Sequence, residues 1–311
     1  MANRTKKKTG VAGLIFTWIL ILLLAAGTFA VIWNHTSTHS KFIANTGIAD
    51  ALAKGFNKGA GRVTKADVAT VEGLTVYAYD EVTSQTYGIK PSVSLYMPGY
   101  KEAYDAYYAD GVTDEEKENL TNPSSLIVNA DMDSLDYRDD LQYFTGLKRL
   151  FCVNLGDTSD DDMLSVAVEY MPDIEEFASV GYSVENFADV AKLTKLTSLT
   201  VEGAKIDDVS PVTALKSLKE LDLANNGITD ISALSALDAD TIENVYLNGN
   251  DITDWTPVEH LGDKVTTGLE TEEEAAEETE ENAEGEEETA EADSEETEDK
   301  EETEEAETEK E

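Results

Sequence analysis

Apolar residues in the second half of the chain return at a fixed step. Phe177, Leu199 and Leu221 stand 22 residues apart, and Val245 follows after 24, because the stretch holding Asp238, Ala239 and Asp240 carries two extra residues. The same step links Val184, Ile206, Ile228 and Ile252, and then Phe187, Val209, Ile231 and Trp255. It also links Val190, Val212, Leu234 and Val258, and Leu193, Leu215, Leu237 and Leu261. The units follow the template L-x-x-L-x-L-x-x-N, a short strand followed by a turn, which cannot bury its apolar side alone. Stacked units bury it together. The pattern predicts an α/β solenoid with a parallel β-sheet along one side.

Upstream, the pattern loosens. Leu141, Phe144, Leu147 and Leu150 are spaced by threes, like Ile231, Leu234 and Leu237. Val153 and Leu155 precede Phe177 by 24 and 22 residues, which predicts a strand in the same series. Leu126–Val128 reads as a first strand, and Asp157–Asp162 is a polar bulge where the unit wants an isoleucine. Repeats are expected over 126–269, about five in all. Before them, residues 46–77 read as a small helical cap. Ile48, Leu52 and Phe56 have helical spacing, and glycines at 55, 59 and 61 end the run. Thr64 is an N-cap candidate for a short helix through Val68 and Val71, leading into a strand at Leu74–Tyr77. Residues 78–125 do not follow the repeat. Eight of the thirteen tyrosines lie between Tyr77 and Tyr108, with Tyr100, Tyr104, Tyr107 and Tyr108 on one helical face. This stretch is expected as a Tyr-rich insertion between cap and repeats.

The ends of the chain differ from its middle. Residues 1–10 are basic and 11–33 carry no charge. At about 1.5 Å per residue such a run reaches about 34 Å, enough for a hydrocarbon core of about 30 Å. It predicts one transmembrane helix over 11–33, then a stalk over 34–45. The basic flank predicts a cytoplasmic N-terminus and an extracellular C-terminal domain at the cell membrane. A cleaved secretory signal is the competing reading, and it exports the same residues. Residues 270–311 hold 25 acids against 2 lysines. High charge with little apolar bulk predicts a disordered Glu-rich tail.

The net charge of −42 includes −23 from that tail and leaves −19 to residues 1–269. Phosphate binding needs clustered Lys and Arg, so nucleic acid is not an expected partner. The single cysteine, Cys152, allows no intramolecular disulfide and reads as a packed side chain. His35, His39 and His260 have no Ser, Cys or metal-ligand constellation in the sequence. No cofactor, metal site or catalytic activity is expected. The acidic runs at 131–133, 139–140 and 157–162 do not match an EF-hand spacing and read as solvated charge.

Strand periodicity places Glu176, Ala178 and Val180 on the outward, concave face, then Ser198, Thr200 and Glu202. Glu220, Asp222 and Ala224 follow, then Asn244, Tyr246 and Asn248. Asn226 and Asn250 hold the turn position, where an amide can satisfy backbone groups that the bend leaves unpaired. Tyr182 and Ala204 hold it in two earlier units.

The units LKELDLANNGITDISALSAL (Leu218–Leu237) and IENVYLNGNDITDWTPVEHL (Ile242–Leu261) resemble internalin-type leucine-rich repeats. Ile48–Leu74 resembles the helical cap that precedes such arrays, and Asp140–Leu147 resembles the entry to their first repeats. The resemblance implies a leucine-rich-repeat horseshoe, its strands followed by short 3-10 turns, in a bacterial, membrane-anchored protein. It departs from the family in lacking a wall-sorting motif and a following immunoglobulin-like domain, so a host-receptor role is not implied. The expected function is non-catalytic binding or adhesion at the cell surface, with a protein or cell-envelope ligand. The candidate ligand-binding residues are Glu176, Thr200, Glu202, Glu220, Asp222, Asn244, Tyr246 and Asn248 on the sheet, with Tyr100, Tyr104 and Tyr108 on the insertion. The alternative is an envelope scaffold with no separate ligand.

Overall fold

The computed structural model describes residues 40–79 and 81–268. The chain enters through helix α1 (Thr46–Gly55), whose first turn is capped by the Asn45 side chain accepting from the Ile48 N–H. A 3-10 turn and helix α2 (Lys65–Val68) follow. Thr64 caps α2 as the sequence suggests, in a capping box with Asp67. Strand β1 (Gly73–Ala78) comes next, where Leu74–Tyr77 was expected.

The 78–125 stretch holds α3 (Glu81–Tyr87), β2 (Ser92–Tyr96), α4 (Tyr100–Tyr107) and α5 (Asp114–Lys117), and β3 (Ile127–Asp131) follows it. Strand β2 pairs antiparallel with β1, and β3 antiparallel with β2. The stretch therefore extends the sheet. The strand expected to open the repeats at Leu126–Val128 belongs to this meander, at its outer edge. A short apolar run carries no signal of strand direction, which is set here by its partner β2.

The parallel part comprises β1, β4 (Arg149–Asn154), β5 (Glu176–Val180), β6 (Ser198–Glu202), β7 (Glu220–Asp222), β8 (Asn244–Tyr246) and β9 (Val265–Thr266). Among the described residues the sheet has nine strands, in the order β3-β2-β1-β4-β5-β6-β7-β8-β9. Leu74, Leu150, Phe177, Leu199, Leu221, Val245 and Val265 stand opposite one another from rung to rung. All but Val265 are fully buried, and each contributes about 1.5–3 kcal/mol by leaving water. One backbone device repeats along the array. The carbonyls of Glu72, Lys148, Glu175, Thr197 and Lys219 each accept two N–H groups from the start of the next rung. Glu72 precedes β1, so the cap strand is already a rung of the solenoid.

The expected 22-residue alignment of Leu155 with Phe177 is corrected by this register. Leu150 is the partner of Phe177, 27 residues earlier, and Leu155 is 55% exposed. The return segment here is an α-helix, α6 (Met163–Tyr170), where the other units use 3-10 turns such as Phe187–Lys192 and Ser210–Ala214. An α-helix rises about 1.5 Å per residue against about 2.0 Å for 3-10, so it needs more residues for the same crossing. The polar run before it is its cap. Asp162 accepts from the Ser165 N–H at 3.0 Å and from the Glu185 N–H at 3.2 Å.

One core runs from the cap through the last repeat. Helix α1 packs over β2 and β3. Gly47 permits this approach, since a Cβ there would stand 2.4 Å from the Asp131 carbonyl oxygen. Asp140 joins the cap to the first repeat turn, its carboxylate accepting from the Ala44 and Asn45 N–H groups at 2.8 Å each. Cys152 is buried beside the bonded pair Tyr137 and Tyr182 (Oη–Oη 2.7 Å), and burial pushes its thiol up to about 12.

The expected transmembrane helix is withdrawn from this architecture. No helix among the described residues is long and apolar enough to cross a membrane, and residues 11–33 lie outside those described. The stretch from Thr267 to Glu311 is a separate unit, and the tail expected at 270–311 also lies outside the described residues.

Candidate functional site

Strand alternation turns three rows of side chains onto the concave face, each crossing the sheet from rung to rung. At the strand starts the row is Tyr96, Gly73, Arg149, Glu176, Ser198, Glu220 and Asn244. The middle row is Ser94, Thr75, Phe151, Ala178, Thr200, Asp222 and Tyr246. The strand-end row is Ser92, Tyr77, Val153, Val180 and Glu202. Glu176, Thr200, Glu202, Glu220, Asp222, Asn244 and Tyr246 therefore share one surface. Asn248 lies past the end of β8 and gives its carbonyl to the Asn225 N–H. Ala224, expected to face outward, is buried past the end of β7.

The face changes character between β5 and β6. On β1, β4 and β5 it is apolar, with Tyr77 40% exposed and Val153, Val180 and Phe151 half-buried. Its cation there, Arg149, is committed: Nε and Nη2 each lie 2.6 Å from Glu176 Oε2, and the guanidinium sits 5.3 Å from the rings of Tyr96 and Phe151. Burial works against the Arg149 charge, but Glu176 outweighs it and the group stays above its ordinary value. On β6 and β7 the face is acidic. Burial raises the Asp222 carboxyl from its ordinary value, and nearby Glu202 adds to the rise. Asp222 also accepts from the Ala224 N–H at 3.0 Å. Among the described residues no Lys or Arg pairs with Glu202, Glu220 or Asp222. Tyr246, 39% exposed, stands beside Asp222 on the next rung.

The tyrosine helix α4 meets this face at its β2 end. Tyr96 meets Tyr100 edge to face (ring centroids 4.7 Å), and tilted contacts join Tyr100 to Tyr104 (5.9 Å) and Tyr104 to Tyr108 (4.8 Å). The strip leads outward, with Tyr104 44% and Tyr108 56% exposed. The Glu72 carboxylate accepts from the Gly99 N–H at 2.7 Å and the Lys101 N–H at 2.9 Å, which fixes the first turn of α4. An anion is favoured there by the free N–H groups and the helix dipole. Sequence reading missed Glu72; a lone glutamate before a strand carries no local signal of a partner 27 residues away.

The turn asparagines behave as predicted. Asn226 accepts from the Ala204 N–H and donates to the carbonyls of Val201, Leu223 and Ala224. Asn250 accepts from the N–H groups of Asn226 and Ile228 and donates to Leu223 and Leu247. His260 donates to the Leu237 carbonyl at 2.9 Å. Among the described residues no group of three or more His, Cys, Asp or Glu side chains is arranged to hold a metal.

A family model described as leucine rich repeats (2 copies) matches residues 216–260. Those residues carry leucine-rich repeats, within a parallel-sheet solenoid of the leucine-rich-repeat kind. No curated protein sequence matches it. Solved structures similar to it include internalin C2 of Listeria monocytogenes, at 17% identity and a TM-score of 0.38, covering 73% of this chain and 94% of that one. A second Listeria monocytogenes internalin is 18% identical with a TM-score of 0.34, covering 73% and 76%. A leucine-rich-repeat protein of Leptospira interrogans is 20% identical with a TM-score of 0.33, covering 42% and 33%.

Proposed function

We propose that the chain is a non-catalytic protein-binding module that recognises its partner through the concave sheet, with the tyrosine strip as a flank of the same surface. One observation carries this reading. Exposed or half-buried apolar rings and aliphatics lie on one continuous sheet surface with the carboxylates of Glu202, Glu220 and Asp222, which no cation among the described residues neutralises. Such a face gains from being covered: the apolar part by leaving water, the acidic part by meeting opposite charge. Tyrosines suit the task because they offer large area with few rotatable bonds. An adhesion role is the finer form of this reading, in which the partner is another surface protein.

Photo-crosslinking residues placed at Tyr77, Tyr104 and Tyr246 test it, with one at Lys216 on the opposite side as control. Incubated with extracts of the source cells, the three face positions are expected to trap a common protein that the control does not. Equal trapping at all four, or none at Tyr77 and Tyr246, overturns the proposal.

A further inference from the structure

The division of the concave face narrows what part of a partner seats there, an inference that rests on the face being the binding surface. Apart from the mutually neutralised Arg149–Glu176 pair, apolar and acidic positions are not mixed. Tyr77, Val153 and Val180 follow one another across β1, β4 and β5. Glu202, Glu220 and Asp222 follow on β6 and β7, and Tyr246 closes the run on β8. Covering an acidic patch with an apolar segment would strip water from carboxylates without replacing it, which strongly disfavours such a complex. Covering Tyr77 and Val180 with charge would waste their area. Tyr246 stands opposite Asp222 on the next rung, so a Lys or Arg held by Asp222 has an aromatic ring as its neighbour, a second source of attraction.

From β1 to β8 the parallel rungs make five steps. At about 4.8 Å each this is about 24 Å, the length of about seven extended residues at 3.3 Å apiece. We infer that the concave face takes an extended peptide segment of about seven residues, laid across the strands, with aliphatic or aromatic side chains over β1–β5 and Lys or Arg over β6–β8. Other proteins offer such segments in exposed loops and termini, where apolar and basic residues adjoin.

Selection of a phage-displayed random heptapeptide library on the full chain tests this directly. Recovered sequences are expected to carry Lys or Arg at one end and apolar residues at the other. A synthetic peptide of the recovered type is expected to lose at least tenfold in affinity for the triple variant Glu202→Gln, Glu220→Gln, Asp222→Asn, and several-fold for Tyr77→Ser. Glu220→Gln alone, at an exposed position, is expected to lose a smaller factor and guards against misfolding of the triple variant. Recovered peptides with scattered basic residues and unchanged affinity for all these variants would place binding on the Glu-rich tail and overturn the inference. Failure to enrich any sequence overturns it as well. If the crosslinks at Tyr77 and Tyr246 stand while either happens, the face binds protein by another chemistry. If they fail too, both readings fall.

Discussion

The two ends of the sheet satisfy their backbone by different means. In the last repeats, neutral amides do it at short range: Asn226 and Asn250 bond only to their own rung and to neighbouring rungs. In the first third, carboxylates do it at long range. Glu72 holds the start of the tyrosine helix, and Asp140 holds residues 44 and 45, about a hundred positions away in sequence. A repeat rung is specified by its own residues and its neighbours, as in a one-dimensional array. The cap and meander are specified by contacts that do not exist until the chain has closed on itself. Yet both ends share one core, so the comparison asks whether they also share one unfolding transition.

The largest expected effect tests that. Leu223, in the repeat half, and Leu95, in the meander, are both fully buried. Replacing either with Asp buries an unpaired carboxylate at a cost of several kcal/mol. Each variant is expected to lose the cooperative melt seen by circular dichroism. If Leu95→Asp leaves the repeats melting as before, the meander is an appendage and the shared core does not couple the two ends.

The next effect sharpens the contrast in turn chemistry. Asn226→Ala removes four buried hydrogen bonds and leaves backbone groups without partners, which predicts a loss of about 3 kcal/mol. Asn154, in the irregular half, bonds to the carbonyls of Asp157 and Gly181 and to the Gly156 N–H from a more exposed position. Asn154→Ala is expected to cost about 1 kcal/mol. Denaturant midpoints of the two variants rank them; equal losses would mean that the asparagine column is not what stiffens the last rungs.

Smaller in global effect is Glu72→Ala. It frees the N-terminus of α4, where two charge-assisted bonds end, and is expected to cost about 2 kcal/mol locally. Hydrogen exchange is expected to quicken in residues 99–104 and to stay unchanged in β6–β8. Quickening throughout would make Glu72 a support of the whole array.

This contrast also explains what the sequence disclosed. The anchors Phe177, Leu199, Leu221 and Val245 fall in adjacent rungs as their spacing required. The same periodicity put Glu202, Asp222 and Tyr246 on one face. Leu150 was passed over for Leu155 because α6 adds residues to its unit and breaks the step on which the reading relied. The direction of β3 was hidden for a related reason: Ile127–Asp131 reads as any half-buried strand, and only β2 makes it antiparallel. Gly181 carries a signal that is clear only in retrospect. Its φ is +71°, and a Cβ there would lie 2.3 Å from the Asn154 carbonyl oxygen, so the turn after β5 accepts no other residue without strain.

The smallest expected effect concerns pH at the cap. The Lys58 ammonium, with the Thr64 N–H, holds the Asp67 carboxyl at about 2, below its ordinary value of 3.8. A carboxyl depressed in the folded state stabilises it fully above the ordinary value and loses that contribution as pH falls toward the folded one. Asp140 and Asp222 act in the opposite sense, because burial raises them and their ionised forms are disfavoured in the fold. A melt of the wild type alone therefore mixes both signs, whereas a difference isolates Asp67. The Lys58–Asp67 pair is partly exposed, so Asp67→Asn is expected to cost no more than about 1 kcal/mol at neutral pH. The gap from wild type should hold down to about pH 4 and close as pH approaches 2. A gap that stays constant over that interval would mean that Asp67 stabilises the cap by its shape and hydrogen bonds, with no share from its charge. Asp67 would then act in the cap as the neutral asparagines act in the last repeats.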